Sequence, residues 1–508
     1  MRRLPFSTML YASVILVVGL LGASCGSYSA PPSGGGYQSA QGTGFTFIGD
    51  APPVGTSILK FEITLSNATL CPTVGAAGEC TGSPQVSLLS APVTIEMTQL
   101  QLQSAFLSLK TVAAGSFAGV RLTFSNPELK LLLPNGTIQE LEGVNLPLSP
   151  NAVTPTFPSA ITVSDKTNFG FLIDFNAQDS IQSVGGAVTG IAPVVSLVPQ
   201  TFSAQQPVEE MEDVTGTLSN VNKTCPSGSV TFTDSLSGLP ISSVQFDSTT
   251  EFDDGASCDT LANGQVVEAD IELRSQNAST AVFFAKKIEL VNEPGEKGIE
   301  GTILEVNTAS KFVVLVDHNS GIAGFTSGAL VTASFDPQNV QFRVESNDFS
   351  SLPSFALGAD LLTGQKVELD VVSSVVGTNS CAAVEDNCTA TADKVKLKKS
   401  TFTAQVGQTI VNPDFALVTL PSIFGTPLPA QVFRPLSADC QSCLIESLTV
   451  RTAAATQFED LPGGFSSLTT GSTVTVRGLL FKDVFQGPVP TGTPLLVAEK
   501  VRLVTAAP

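Results

Sequence analysis

The chain has 508 residues, with 45 Asp and Glu against 25 Lys and Arg, one His, no Trp and a formal net charge of −20. That charge balance excludes a nucleic-acid partner, because phosphate neutralisation needs clustered Lys and Arg. The single histidine excludes any multi-histidine metal or catalytic site, and no Walker-type loop or Rossmann fingerprint is present.

In chain order, Arg2 and Arg3 precede an almost wholly apolar run from Met9 to Leu21. The run is too short and too early for a membrane span and reads as a secretory h-region. It leads through Leu21-Gly22-Ala23-Ser24 into Cys25. This arrangement resembles the lipobox of bacterial lipoproteins, which implies that residues 1–24 are a signal peptide and that the Cys25 thiol carries a diacylglyceryl group. The alternative is an ordinary signal peptide, with Cys25 a free thiol. Several acyl chains anchor stably where one holds only marginally, so the resemblance makes the membrane a partner. Gly26 in place of Asp implies, by the same resemblance, the outer membrane. Loss of residues 1–24, which contain two arginines and no acid, leaves −22. Residues 25–44, rich in Gly, Ser, Pro and Gln, form a flexible tether spanning roughly 25 Å.

From residue 45 the chain reads as strands, with Val, Thr, Phe and Ile alternating with polar residues and Gly, Pro and Asn at short intervals. Asn135-Gly136 between two apolar runs predicts a hairpin, since that turn needs positive φ. The acidic stretch Pro207–Val214 reads as a solvated linker, placed over 204–211. Beyond it the chain repeats. Val214-Thr-Gly-Thr-Leu is matched by Ile299-Glu-Gly-Thr-Ile, Gly264-Gln-Val-Val-Glu by Gly364-Gln-Lys-Val-Glu and Gly471-Ser-Thr-Val-Thr, and Ala285-Lys-Lys-Ile by Ala392-Asp-Lys-Val and Ala498-Glu-Lys-Val. The third copy opens poorly, near Val406. In the first copy Val267, Ala269, Ile271 and Leu273 alternate with Glu268, Asp270 and Glu272, and in the second Val367, Leu369 and Val371 alternate with Glu368 and Asp370. Period two places the aliphatics on one face and the acids on the other, as in half-buried antiparallel strands. Each opening glycine fits a turn that tolerates no Cβ. Lys311–Val316 reads as another strand, ended by an Asp317-His318-Asn319-Ser320-Gly321 turn.

These features predict an all-β chain with an N-terminal β-sandwich at 45–203 and three tandem small OB-like β-barrels at 212–293, 297–400 and 401–508. Five or six short strands per copy suit a closed barrel without exposed edges. The copies resemble an uncharacterised family of exported bacterial domains with OB-like barrels, carried by Gly216, Gly301, the Gly264, Gly364 and Gly471 strands and the closing Ala-x-Lys motif. Residues 45–203 resemble a second uncharacterised family of lipoprotein β-sandwiches through Gly49–Pro53, Ala113–Phe124 and Phe171–Ala177. Neither resemblance brings a catalytic residue.

Eight cysteines follow Cys25 as near neighbours: Cys71 and Cys80, Cys225 and Cys258, Cys381 and Cys388, Cys440 and Cys443. In an exported protein they read as disulfides. Closing about 10 residues contributes about 2.7 kcal/mol and closing about 34 nearer 3.7 kcal/mol. Cys440-Gln-Ser-Cys443 also admits redox or metal chemistry, but a strand-like segment follows it, where a redox motif would have a helix.

Candidate chemistry is sparse, and no cofactor is called for. Asp247, Glu251, Asp253 and Asp254 supply hard oxygen ligands suited to calcium, without the spacing of an EF-hand loop. The expectation is a lipid-anchored, non-enzymatic binding or spacer module of the cell envelope, facing a protein or polysaccharide partner. A calcium-dependent adhesion or glycan-contact protein and a two-carboxylate hydrolase are the alternatives. Missing Trp, and tyrosines confined to Tyr11, Tyr28 and Tyr37, argue against sugar binding.

Overall fold

The computed structural model describes residues 40–504 apart from 52–56, 101, 103, 134–136, 186, 203–205, 236–237, 239, 278, 292–296, 321, 346–351, 379–380, 383–385, 425–444 and 483–493, and gives the backbone alone at 51, 206, 318–320 and 422. The described chain is all-β, its one α-helix being the four residues Ala177–Ser180. No described helix is long and apolar enough to cross a membrane.

Two sheets build the first module. In one, Gln41–Ala51 pairs in parallel with Asn168–Asn176 and antiparallel with Ser104–Ala113. The other is founded on the antiparallel pair Ser57–Cys71 and Gly115–Leu132. They share one apolar core, in which Phe175 meets Phe61 and Phe124 edge-on, each at 5.7 Å. The predicted hairpin strands pair, Leu132 opposite Ile138, while Asn135-Gly136 itself lies outside the described residues.

Three closed five-stranded rings follow. In ring one, Gln206–Thr224 pairs with Ser227–Asp234 and with Val266–Asn277. Thr280–Leu290 pairs antiparallel with Val266–Asn277 and closes the ring in parallel against Pro240–Phe246. Ring two repeats this order with Gly298–Thr308, Lys311–Ser320, Leu330–Phe335, Lys366–Val375 and Thr389–Val411. The last of these strands, 23 residues long, does not stop at the expected boundary. Its first half closes ring two, and its second half opens ring three by pairing with Asp414–Val418 and Thr473–Phe481. Leu448–Glu459 and Leu495–Leu503 complete ring three, again in parallel.

The repeat is visible bond by bond. Gly264, Gly364 and Gly471 all have positive φ, and their N–H groups donate to the carbonyls of Leu218, Ile303 and Val406 at 2.8, 2.8 and 2.7 Å. Only a residue free of Cβ takes that conformation without strain. The weak opening of the third copy also has a cause. Gly216 stands opposite Val267, Gly301 opposite Val367 and Ala404 opposite Val474, so alanine occupies the repeated glycine position.

Two expectations are corrected. Residues 206–211 are not a solvated linker but the first part of a ring-one strand, paired to Val266–Asn277, with Val208 and Met211 buried. Register shifts at Pro207/Glu209 and Met211/Val214 bring Val208 and Met211, three residues apart, to a face that is buried despite the neighbouring acids. His318 is not in a turn, because the pairing with Gly298–Thr308 continues through Ser320 and places His318 opposite Glu300.

Disulfides join Cys71 to Cys80, Cys225 to Cys258 and Cys381 to Cys388 as expected. Cys440 and Cys443 lie outside the described residues. The modules are not beads on a string. Phe45, Phe47 and Phe106 of the first module share a core with ring one, where Phe106 and Phe283 meet at 5.3 Å. Leu59 and Leu132 join the core of ring three. The described residues from Ala40 onward form one compact unit.

Candidate functional site

The alternation on the fourth strand of each ring sends one set of side chains into the ring. Val267, Ala269, Ile271 and Leu273 are buried there, as are Val367, Leu369 and Val371. The opposite face is not left to water. Glu268, Asp270 and Glu272 are only 5%, 9% and 8% exposed, because the rings pack on one another through these faces.

What fills the space between the rings is charge. The shared strand presents Lys394, Lys396 and Lys398 at alternate positions, followed by Lys399. Lys398, fully buried, is bonded to Glu268 of ring one, with Glu345 at 3.5 Å and Asp213 at 3.8 Å. Lys396 is bonded to Glu289, with Asp254 at 2.9 Å and Asp253 at 3.9 Å. Lys287 returns from ring one to Glu345 at 3.3 Å. From ring three, Arg477 grips Glu212 and Asp213 and holds Glu499 at 2.8 Å, while Lys500 approaches Glu212 at 3.4 Å. The three rings therefore meet in one buried ionic network.

Its electrostatics follow from burial set against neighbouring charge. Burial opposes ionisation of Glu212, but the Arg477 and Lys500 charges outweigh it and hold the carboxyl at about 2. Burial likewise opposes Asp213 and Glu289, and the surrounding Lys and Arg charges pull both below the usual range. Where acids outnumber cations the balance reverses. Burial, with repulsion from Asp213 and other acids, pushes Asp270 up to about 7 and Glu268 well up. Burial also raises Glu368 to about 7, with Glu289 and Glu300 adding to the effect. The lysines face the same desolvation but gain more from their carboxylates, so Lys398 and Lys399 are held well above the ordinary value.

The four acids expected to bind calcium do not form one cluster. Asp247 is half-buried and accepts hydrogen bonds from the Thr249 N–H and hydroxyl at 2.7 and 2.6 Å, a local turn. Glu251 sits on the short strand Glu251–Asp253 opposite Lys287. Asp253 and Asp254 do converge, with Glu289, but around the Lys396 ammonium. A second three-carboxylate group, Asp213, Glu268 and Glu345, converges in the same way on Lys398. At both places a lysine ammonium lies among carboxylates arranged as a cation would need them.

Two cavities adjoin the network. One of about 130 Å³ is lined by Lys366, Lys399, Arg477 and Asp317 together with Ser and Thr residues. The other, about 280 Å³, lies between the first module and rings one and two, and its wall includes Glu62, Glu96, Glu212, Asp213, Asp234, Glu300, Asp317 and Lys366. Nothing in the chain order points to the second cavity, because its acids are far apart in the chain and come from three modules. The cationic side of the network left a faint trace, since residues 394–399 are the densest Lys and Arg run in an acidic chain.

Two segments of the chain, residues 241–289 in ring one and 436–483 in ring three, match a family described as a domain of unknown function (DUF5666). No curated protein and no solved structure matches the chain.

Proposed function

We propose that this chain is a lipid-anchored protein of the bacterial cell envelope, held in the outer membrane through Cys25, and that it works as a non-enzymatic, stiff binding or spacer body. The observation that carries this reading is the fusion of the modules. Rings two and three share one unbroken strand, and the acids of ring one are neutralised by cations of rings two and three. A body built this way keeps a fixed distance between its tethered end and its far surfaces, which freely jointed domains do not. In the same reading the rings are OB-like barrels, supported by the closed five-strand order with parallel third and fifth strands. The first module is a β-sandwich, supported by two sheets over one core.

A calcium-dependent adhesion module is the second reading, and the acidic cavity favours it. A two-carboxylate hydrolase fits less well, because about 280 Å³ is below the roughly 300–1,000 Å³ of most small-molecule sites. The test of the leading reading is mass spectrometry of the mature N-terminus with fractionation of the wild type and Cys25→Ser. Acylated Cys25, and release of the variant from the membrane fraction, support it. An unmodified thiol on a freely soluble wild-type protein overturns it.

A further inference from the structure

Glu305 and Asn307 lie two positions apart on the first strand of ring two, outside the ionic network. Glu305 is half-buried and stands opposite Val313, which belongs to the core that ring two shares with the first module and ring three. Asn307 is 2% exposed. Its Nδ2 donates to Glu305 Oε1 at 2.9 Å, which sets the amide against the carboxyl. Each group then has one oxygen left over, Oε2 of Glu305 and Oδ1 of Asn307. Both are buried, and neither has a hydrogen-bond partner. Native proteins leave few acceptors in that state, because their lost hydration is not compensated.

Turning the Asn307 amide over does not help, since it would set two acceptors face to face and strand the Nδ2 donor instead. One proton on the carboxyl does help. A carboxylic acid and a carboxamide are complementary, each offering one donor and one acceptor along the same edge. We propose that Glu305 is held as a neutral acid in the folded protein, its Oε2–H donating to Asn307 Oδ1, and that this closed acid–amide pair is a pH-sensitive latch on ring two.

The electrostatics agree with the hydrogen bonding. Burial raises the Glu305 carboxyl to about 7, and the Asn307 bond, which stabilises the anion, offsets only part of the rise. The elements packed against this end of the strand carry three charged groups among the described residues. Lys311 lies on the paired strand opposite Thr308. Asp360 ends the turn Gly358–Asp360, which packs on the Ala309 carbonyl, and its carboxylate accepts from the Ala356 and Leu357 N–H groups at 2.9 and 3.0 Å. Lys482 of ring three donates to the Ala359 carbonyl at 3.0 Å. None of the three moves the Glu305 carboxyl. It therefore differs from Asp270 and Glu368, whose values also depend on the charges of the network. When the proton leaves for solvent, a charge and two facing acceptors remain beside an apolar core. The folded value lies above the unfolded value of about 4.3, so the pair stabilises fully below about pH 4 and progressively less as pH rises to about 7.

The test is infrared difference spectroscopy of the full chain, wild type minus Glu305→Gln, titrated from pH 4 to pH 9, with melting curves of both proteins. The expected result is a carboxylic-acid C=O band, present in the wild type and absent from the variant, that disappears with a midpoint near pH 7. Gln reproduces the neutral pair, its amide N–H donating to Asn307 Oδ1. Glu305→Gln should therefore melt with the wild type at pH 5 and above it at pH 8. Glu305→Leu, which has no donor for Asn307, should melt below Glu305→Gln at both pH values, and it provides a second reference for the difference spectrum. A midpoint near that of an exposed glutamate overturns the proposal, as does a Glu305→Gln protein that melts below the wild type at pH 8.

Discussion

The inside of each ring and the space between the rings solve the same problem in opposite ways. Inside ring two, Phe312, Val314, Val331, Val367, Leu369 and Val395 exclude water without a charge among them. Between the rings, Lys396, Lys398, Arg477, Glu212, Glu268 and Glu289 are buried to a similar degree, and every one is charged and paired with a charge. The two interiors have different tasks. An apolar face accepts any apolar neighbour, so it closes a ring but does not choose a partner. A buried ionic face accepts only its complement, because a mismatched charge left unpaired is costly. The copies have diverged to exploit this. Asp270, Asp370 and Arg477 hold equivalent positions opposite Lys287, Lys394 and Lys500, so ring three carries a cation where rings one and two carry acids.

The ionic interior is most vulnerable at Arg477. Arg477→Met strands Glu212 and Asp213, and should cost about 3–5 kcal/mol, as removing one partner of a buried pair does. Chemical denaturation checks this; a loss below about 1 kcal/mol would mean water reaches the network. On the apolar side, Leu369→Ala should cost about 2–5 kcal/mol through lost transfer energy and a cavity. Unlike the Arg477 effect, that loss should be the same at pH 5 and pH 8.

A smaller effect sharpens the contrast through pH. Asp270, Glu368 and Asp317 have folded values of about 7, chiefly through burial, above the roughly 4 of an unfolded chain. Between those values the folded state holds more protons than the unfolded one, so these groups make stability fall as pH rises from about 4 to about 7. Glu212, held at about 2, acts the other way, and its contribution is lost only as pH falls from about 4.5 toward 2. Metal-free protein should therefore melt higher at pH 5 than at pH 8, and Asp270→Asn should flatten that dependence.

The smallest effect belongs to the surface. Arg451 meets Asp414 through two hydrogen bonds of 2.9 Å, but both side chains are substantially exposed. Asp414→Asn should cost about 0–1 kcal/mol and less in high salt. This exposed pair is the control for the buried ones.

The sequence showed one side of each strand and not the other. Period two in Val267–Leu273, the glycines at 264, 364 and 471 and three of the cysteine pairs were legible, because turn geometry and local loops depend on neighbours in the chain. The burial of Glu268 and Asp270 was not, since an acid facing water and an acid facing a lysine 130 residues away give the same alternation. The linker reading of residues 204–211 failed for that reason. Four acids in a short run look solvated until Arg477, Lys286 and Lys500 are placed against them. The shared strand was likewise hidden, because nothing in Lys398-Lys399-Ser400 marks where one ring ends and the next begins.

The most direct measurement is differential scanning calorimetry of the full chain at pH 7. If the ionic network binds the rings and first module into one body, the protein should unfold in a single cooperative transition whose calorimetric and van't Hoff enthalpies agree. Three or four separate transitions in the wild type, with Arg477→Met changing only one of them, would show that the modules fold independently and would contradict the account.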